Sequence, residues 1–284
     1  MSSIDEKRIH DGTERATEVA VATGTGLACV SVVGDRVGGI ELRRRCVARD
    51  VAAAEGRLAV ATDEDVFVAA DESDASDAGD DRGGFESTGF GPATAVGFDG
   101  NALLAAGEGT VARHADGDWR PVGELDGVRA IDGDLLATDA GIYRAGDRLR
   151  GVGLDAGRDV AAAGTPHAAT ETGLYRLGNG WLDALDGDFL AIDADPATAE
   201  PGALGRAHAA TRDALFEHAG GRNGRGDDGE WLPVDVPGEG SVVGIAYDTG
   251  VYAVTRGGTF LVDAGEGFRT HPLGLPGVAA LAVP

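Results

Sequence analysis

Apolar and polar residues alternate along this chain in short runs of roughly four to eight residues, the period of half-buried β-strands. Gly or Asp interrupts each run. Within the runs one motif recurs: Ala-Thr, two turn residues, a small residue, then two strand residues. It reads Ala61-Thr62-Asp63-Glu64-Asp65-Val66-Phe67, then Ala137-Thr138-Asp139-Ala140-Gly141-Ile142-Tyr143, then Ala169-Thr170-Glu171-Thr172-Gly173-Leu174-Tyr175. Looser copies run from Ala22-Thr23 to Gly26-Leu27, from Ala210-Thr211 to Leu215-Phe216 and from Val254-Thr255 to Thr259-Phe260. A seventh, at Ala106-Gly107, lacks the Thr. The anchors at 23, 62, 107, 138, 170, 211 and 255 are 31 to 45 residues apart. A four-stranded propeller blade takes roughly 40 residues.

Each repeat resolves into four strands, A to D from the axis outward. In the fourth, A falls near 127–132, B near 134–139, C near 141–146 and D near 148–154. The A strands are small and branched, as in Val51-Ala52-Ala53-Ala54 and Val160-Ala161-Ala162-Ala163, which suits crowding at an axis. Glu55-Gly56, Asp99-Gly100 and Asp132-Gly133 supply two-residue hairpins between A and B. Trp119, Leu149, Trp181, Trp231 and Phe268 open the D strands and read as packing between blades. The first copy begins at strand B, near 17–24, whereas 277–283 reads as an A strand. The predicted fold is therefore all-β: a seven-bladed β-propeller of four-stranded antiparallel blades, its ring closed by the C-terminal strand completing the N-terminal blade. It occupies residues 17–284 as one domain, after a polar N-terminal segment, 1–16.

The stretch from Ala169 through Gly173-Leu174-Tyr175-Arg176 to Trp181 resembles the repeats of BNR-type and photosystem-assembly-factor propellers. The whole chain is similar to a β-propeller family of haloarchaea, with these repeats in degenerate form. The resemblance implies a fold. The Ser-x-Asp-x-Gly core of an Asp-box is missing, and no sialidase-type arginine triad carries over.

Charge sets the environment. The chain has 48 acidic residues against 24 basic ones, a net charge of −24, and Lys7 is its single lysine. Such self-repulsion is largely screened in molar salt, where the Debye length is about 3 Å. The expectation is a protein of a salt-adapted cell. An acidic surface lacks the positive footprint that nucleic acid requires. The first 16 residues are strongly polar and no long apolar run follows, so the reading is cytoplasmic, with no membrane association, and monomeric. Cys29 and Cys46 read as free core thiols.

Candidate chemistry is sparse. The acidic insertion from Asp71 to Asp81 lacks the ligand spacing of an EF-hand and reads as a solvated loop. Arg225-Gly226-Asp227 reads as chance. The six histidines form no metal-binding pair, and His167 and His208 occupy equivalent places by repeat descent. No metal, no cofactor and no catalytic residue is predicted. One cluster stands out at the A-strand entrances: Arg49-Asp50, Arg129 and Arg158-Asp159, joined by Arg212 and Arg256 from B–C turns. These are expected to ring one mouth of the axial channel. Two readings follow, an anion-binding ring or arginines paired with the neighbouring Asp to tie blades together. The functional expectation is a non-enzymatic scaffold that binds another protein. The alternative is an enzyme or small-molecule binder, hydrolase- or lyase-like, holding an anionic ligand at that mouth.

Overall fold

The computed structural model describes residues 16–70, 84–220 and 229–284. The acidic segment from Asp71 to Asp81 and Arg225-Gly226-Asp227 lie outside the described residues. Seven four-stranded antiparallel sheets make up the fold. Blade 1 contains β1 (Thr17–Thr23), β2 (Gly26–Val33) and β3 (Arg36–Arg44). Blade 2 is β4 (Ala48–Ala54), β5 (Arg57–Thr62), β6 (Val66–Ala69) and β7 (Phe85–Ser87). Blade 3 is β8 (Ala95–Asp99), β9 (Ala102–Gly107), β10 (Thr110–Ala115) and β11 (Asp118–Glu124). Blade 4 is β12 (Val128–Asp132), β13 (Leu135–Thr138), β14 (Gly141–Ala145) and β15 (Leu149–Gly153). Blade 5 is β16 (Gly157–Ala161), β17 (His167–Thr170), β18 (Gly173–Leu177) and β19 (Trp181–Asp186). Blade 6 is β20 (Phe189–Ala194), β21 (Arg206–Thr211), β22 (Leu215–Ala219) and β23 (Trp231–Val234). Blade 7 is β24 (Val242–Tyr247), β25 (Val251–Thr255), β26 (Thr259–Asp263) and β27 (Arg269–Pro272).

The last strand, β28 (Ala280–Ala282), returns to blade 1 and pairs Ala22 with Ala280 and Ala20 with Ala282. The expected closure is thus realised, and the inner strands contact one another in an unbroken circle. Apolar clusters fill the spaces between adjacent blades; Val19, Val21 and Val30 of blade 1, for example, pack on Val254, Phe260 and Val262 of blade 7. The D-strand tryptophans serve this packing. Trp119 donates its indole N–H to Thr88 O and Trp181 to Val152 O, each on the preceding blade.

The repeated Thr has a physical reason. At the end of β1, β5, β13 and β17 its buried hydroxyl donates to a carbonyl three residues on, from Thr23 to Gly26, Thr62 to Asp65, Thr138 to Gly141 and Thr170 to Gly173, at 2.7–2.9 Å. The same oxygen accepts turn amides, as from Glu64 and Asp65 at 3.1 Å. The hydroxyl therefore satisfies backbone groups at a hairpin that excludes water. Blade 3 cannot use the device. At Gly107 a Cβ would lie 2.1 Å from Pro92 O, so the Thr is replaced where the connection from blade 2 into blade 3 crosses too closely. Thr62→Val keeps the shape and removes the hydroxyl; it should cost about 1–3 kcal/mol, read as a lower thermal midpoint by circular dichroism in molar KCl.

Candidate functional site

The seven inner strands enclose an axial chamber of about 1020 Å³. Its wall is mostly Ala, Val and Ile, and the crowding is severe. At Gly97 a Cβ would sit 2.4 Å from Ile131 O of the next blade, so only glycine lets β8 and β12 approach. Arg129, Arg158 and Arg256 lie at the end where the D–A connections arrive; Glu55, Gly133 and Pro196 lie at the A–B turns.

An inner strand pairs on one side only, so every second backbone amide faces the axis without a strand partner. Aspartates answer this. Asp50 Oδ1 accepts from Val51 N at 2.9 Å, while Oδ2 accepts from Val96 N of blade 3, also at 2.9 Å. Asp159 repeats the clasp with Val160 N and with Ile192 N of blade 6. Asp132 accepts from Ala162 N of blade 5 at 2.6 Å, and Asp193 from Ala194 N at 2.8 Å. Three blade junctions are thereby stitched by a carboxylate.

These four acids border the chamber and are only partly exposed. Burial pushes Asp50 up to about 7. It pushes Asp159 up to about 8, with the charges of Asp50 and Asp132 acting the same way. Burial likewise raises Asp132 and, helped by Asp132 and Asp159, lifts Asp193 well above the usual carboxylate range. Asp65, in the B–C turn of blade 2, is the contrast. Burial raises it too, yet Ser87 Oγ and the amides of Gly91, Gly89 and Val66 all donate to it, and its pKa ends below normal. One or two donors do not offset burial at the axis; four do in the turn.

The arginines do not pair with the Asp beside them. Arg49 donates to Ala93 O at 3.3 Å, and Arg129 pairs with Asp139 of its own blade. Arg158 meets Glu171 at 3.2 Å and Asp188 at 2.8 Å, and Asp188 also draws Arg212 to 3.5 Å. Arg49 and Arg158 instead each reach the connection to the following blade, at Ala93 O and at Asp188. Asp50, Asp159, Arg129, Arg158 and Arg256 share the chamber, whereas Arg49 and Arg212 stand outside its wall. Arg256 is exposed and carries no ion pair among the described residues.

Sequence reasoning missed Asp132 and Asp193, and also Tyr247. Tyr247 lines the chamber with its hydroxyl 2.5 Å from His208 Nδ1. Which of the two atoms donates follows from the imidazole tautomer. Nε2 is 3.9 Å from Glu217 Oε1, too long for a hydrogen bond. Burial holds His208 down to about 4, against the pull of Glu217. Among the described residues no group of three His, Cys, Asp or Glu could hold a metal.

Raised carboxyl pKa values fix the sign of a pH effect. Between about 4, where an unfolded Asp ionises, and the folded values near 7 and 8, the folded protein holds protons that the unfolded chain has lost. Stability from these groups is full at the acid end and falls as pH rises through that window. Melting midpoints in molar KCl should therefore decline from pH 5 to pH 8.5, and Asp159→Asn should flatten that decline.

Comparison with curated proteins gives no match. Among solved structures, YCF48 from Cyanidioschyzon merolae is 16% identical with a TM-score of 0.55, covering 84% of this chain and 88% of its own. A structure of YCF48 bound to D1 peptide is 15% identical, TM-score 0.54, covering 81% and 84%. Apo AztD from Citrobacter koseri is 12% identical, TM-score 0.57, covering 92% and 83%. These likenesses concern the fold, and they agree with the propeller resemblance read from the repeats. The sequence model of the HVO_0234-like beta-propeller family matches residues 3–284. The chain belongs to the HVO_0234-like β-propeller family.

Proposed function

We propose that this propeller is a non-enzymatic scaffold that binds another protein, working in the cytoplasm of a salt-adapted cell. The observation that carries the reading is the commitment of the axial polar groups. Asp50, Asp132 and Asp159 hold backbone amides across blade junctions, and Arg129 and Arg158 are ion-paired. Arg129 and Arg158 are already neutralised by carboxylates, which leaves Arg256 as the chamber arginine with no ion pair among the described residues and disfavours the small-anion alternative. What remains is a rigid ring whose outer surfaces are available, an arrangement suited to partner binding. The YCF48 structure holding D1 peptide gives a precedent for peptide binding on this fold. The net charge of −24 supports both a salt-rich setting and a partner other than nucleic acid.

Tagged protein held in molar KCl should capture one partner protein in stoichiometric amount from a native lysate, identified by mass spectrometry and confirmed by reverse capture. Nothing retained, together with heat on titrating citrate or phosphate that Arg256→Ala abolishes, would favour the small-anion reading.

A further inference from the structure

The outer edges of the blades are not alike. Six end in short or blunted strands: β7 has three residues and β15 five, while β11, β23 and β27 contain Pro121, Pro233 and Pro272. Proline and brevity are the ordinary protections of a sheet edge. The six residues of β19 carry Asp183 and Asp186 in addition. The edge strand of blade 1, β3, lacks both brevity and proline; what it carries instead is charge, from Arg36, Glu41, Arg43 and Arg44, and two bulges. It is nine residues long, contains no proline, and pairs with β2 alone.

Its side chains invite a partner. Ile40 is 44% exposed and Leu42 38%. The two alternate with Glu41, so they project from the same face of the blade, the face of their β2 partners Val30 and Ala28. Both lie in the regular stretch between two bulges, one at Ser31/Val32 and one at Leu27/Ala28 of β2. Gly39 lies within that stretch with open space where a side chain would be.

The charge of this strip opposes that of the chain. Five of the 24 basic residues fall between Arg36 and Arg49, against one acid, Glu41. Arg43 is occupied by Glu18 and Glu41, and Arg44 lies over the Phe67 ring at 3.4 Å. Arg36 and Arg45 are exposed with no ion pair among the described residues. A second copy of this chain is a poor occupant. Antiparallel pairing of two β3 strands about Ile40 would set Arg36 of each against Arg44 of the other, between bodies of charge −24. An acidic partner strand fits instead.

We infer that β3 is a docking edge for an extended segment of a partner protein that alternates apolar and acidic residues. This rests on the protein-binding reading above and names where and what it binds. The segment adds a fifth strand to blade 1, its backbone pairing with the open edge of β3. Its apolar side chains cover Ile40 and Leu42, and its carboxylates meet Arg36 and Arg45. In molar salt the long-range repulsion from the rest of the chain is screened within about 3 Å. Direct carboxylate–guanidinium contacts and buried apolar area remain.

The test uses the full chain in molar KCl and a fluorescein-labelled peptide of alternating valine and glutamate, as long as β3, with a valine–lysine peptide as its counterpart. Anisotropy should show the acidic peptide binding at least about tenfold tighter than the basic one. It should slow amide hydrogen exchange within Arg36–Arg44. The exposed double variant Ile40→Asp/Leu42→Asp should weaken binding by about tenfold or more, with an unchanged melting midpoint. Arg36→Glu/Arg45→Glu provides a second variant that leaves the apolar pair intact and should also weaken it. Equal affinity for both peptides, no binding of the acidic one, or protection elsewhere would overturn the assignment. So would a wild-type dimer in light scattering that the first variant converts to monomer. If the lysate partner is captured equally by wild type and by Ile40→Asp/Leu42→Asp, the β3 edge is wrong while the scaffold reading stands. If wild type captures nothing, the scaffold reading itself falls.

Discussion

Seven strand edges meet at the axis of this propeller, and each brings backbone amides that no further strand can reach. Leaving such groups unpaired in a confined space costs on the order of a hydrogen bond each. The chain answers with aspartates that reach from one inner strand to the next. Asp50, Asp132 and Asp159 each satisfy an amide on the following blade, so the groups that relieve the edge also lock the ring. The device carries its own cost, because four carboxyls in one chamber repel one another and resist ionisation. Asp65 shows what full satisfaction does: with four donors its carboxylate is favoured in spite of burial. The axial aspartates therefore give the ring a dependence on proton and salt that its hydrophobic clusters alone would not have.

How much of this was legible depends on whether a residue acts locally or across the ring. The Ala-Thr repeat marked the blades because the Thr hydroxyl bonds a carbonyl only three residues away, so its spacing is fixed within each copy. Its loss at Gly107 looked like degeneration, and the cause is a crossing by Pro92 that sequence spacing does not display. The terminal closure was readable because 277–283 has the composition of an inner strand and blade 1 lacked one.

The axial cluster was only half legible. Arg-Asp pairs at 49–50 and 158–159 pointed to the right strands, but the partner of Arg158 is Asp188, in the connection between blades 5 and 6. Asp132 read as part of a hairpin with Gly133, and Asp193 had no such signal at all. Both lie two residues further along their strands than Asp50 and Asp159 and past the same bulge, so all four share one face. The β3 edge was invisible for a different reason. An exposed Ile40 or Leu42 has the same alternation as a buried one, and only the missing neighbour distinguishes them.

Inner and outer edges pose the same backbone problem with opposite solutions, and this separates stability from recognition. At the axis the chain supplies its own acceptors, and Asp50, Asp132, Asp159 and Arg158 are engaged in holding the blades. At the periphery the usual protection is brevity or proline, present on five of the seven outer strands. The acidic β19 makes a sixth protected edge. On blade 1 brevity and proline are absent, and the basic residues there are the reverse of what a chain at −24 places elsewhere. In concentrated salt, charge gives little steering over distance, so selectivity has to come from contacts made after encounter. An open strand edge meets that need, because its register and alternating pockets discriminate only when a partner is already in place.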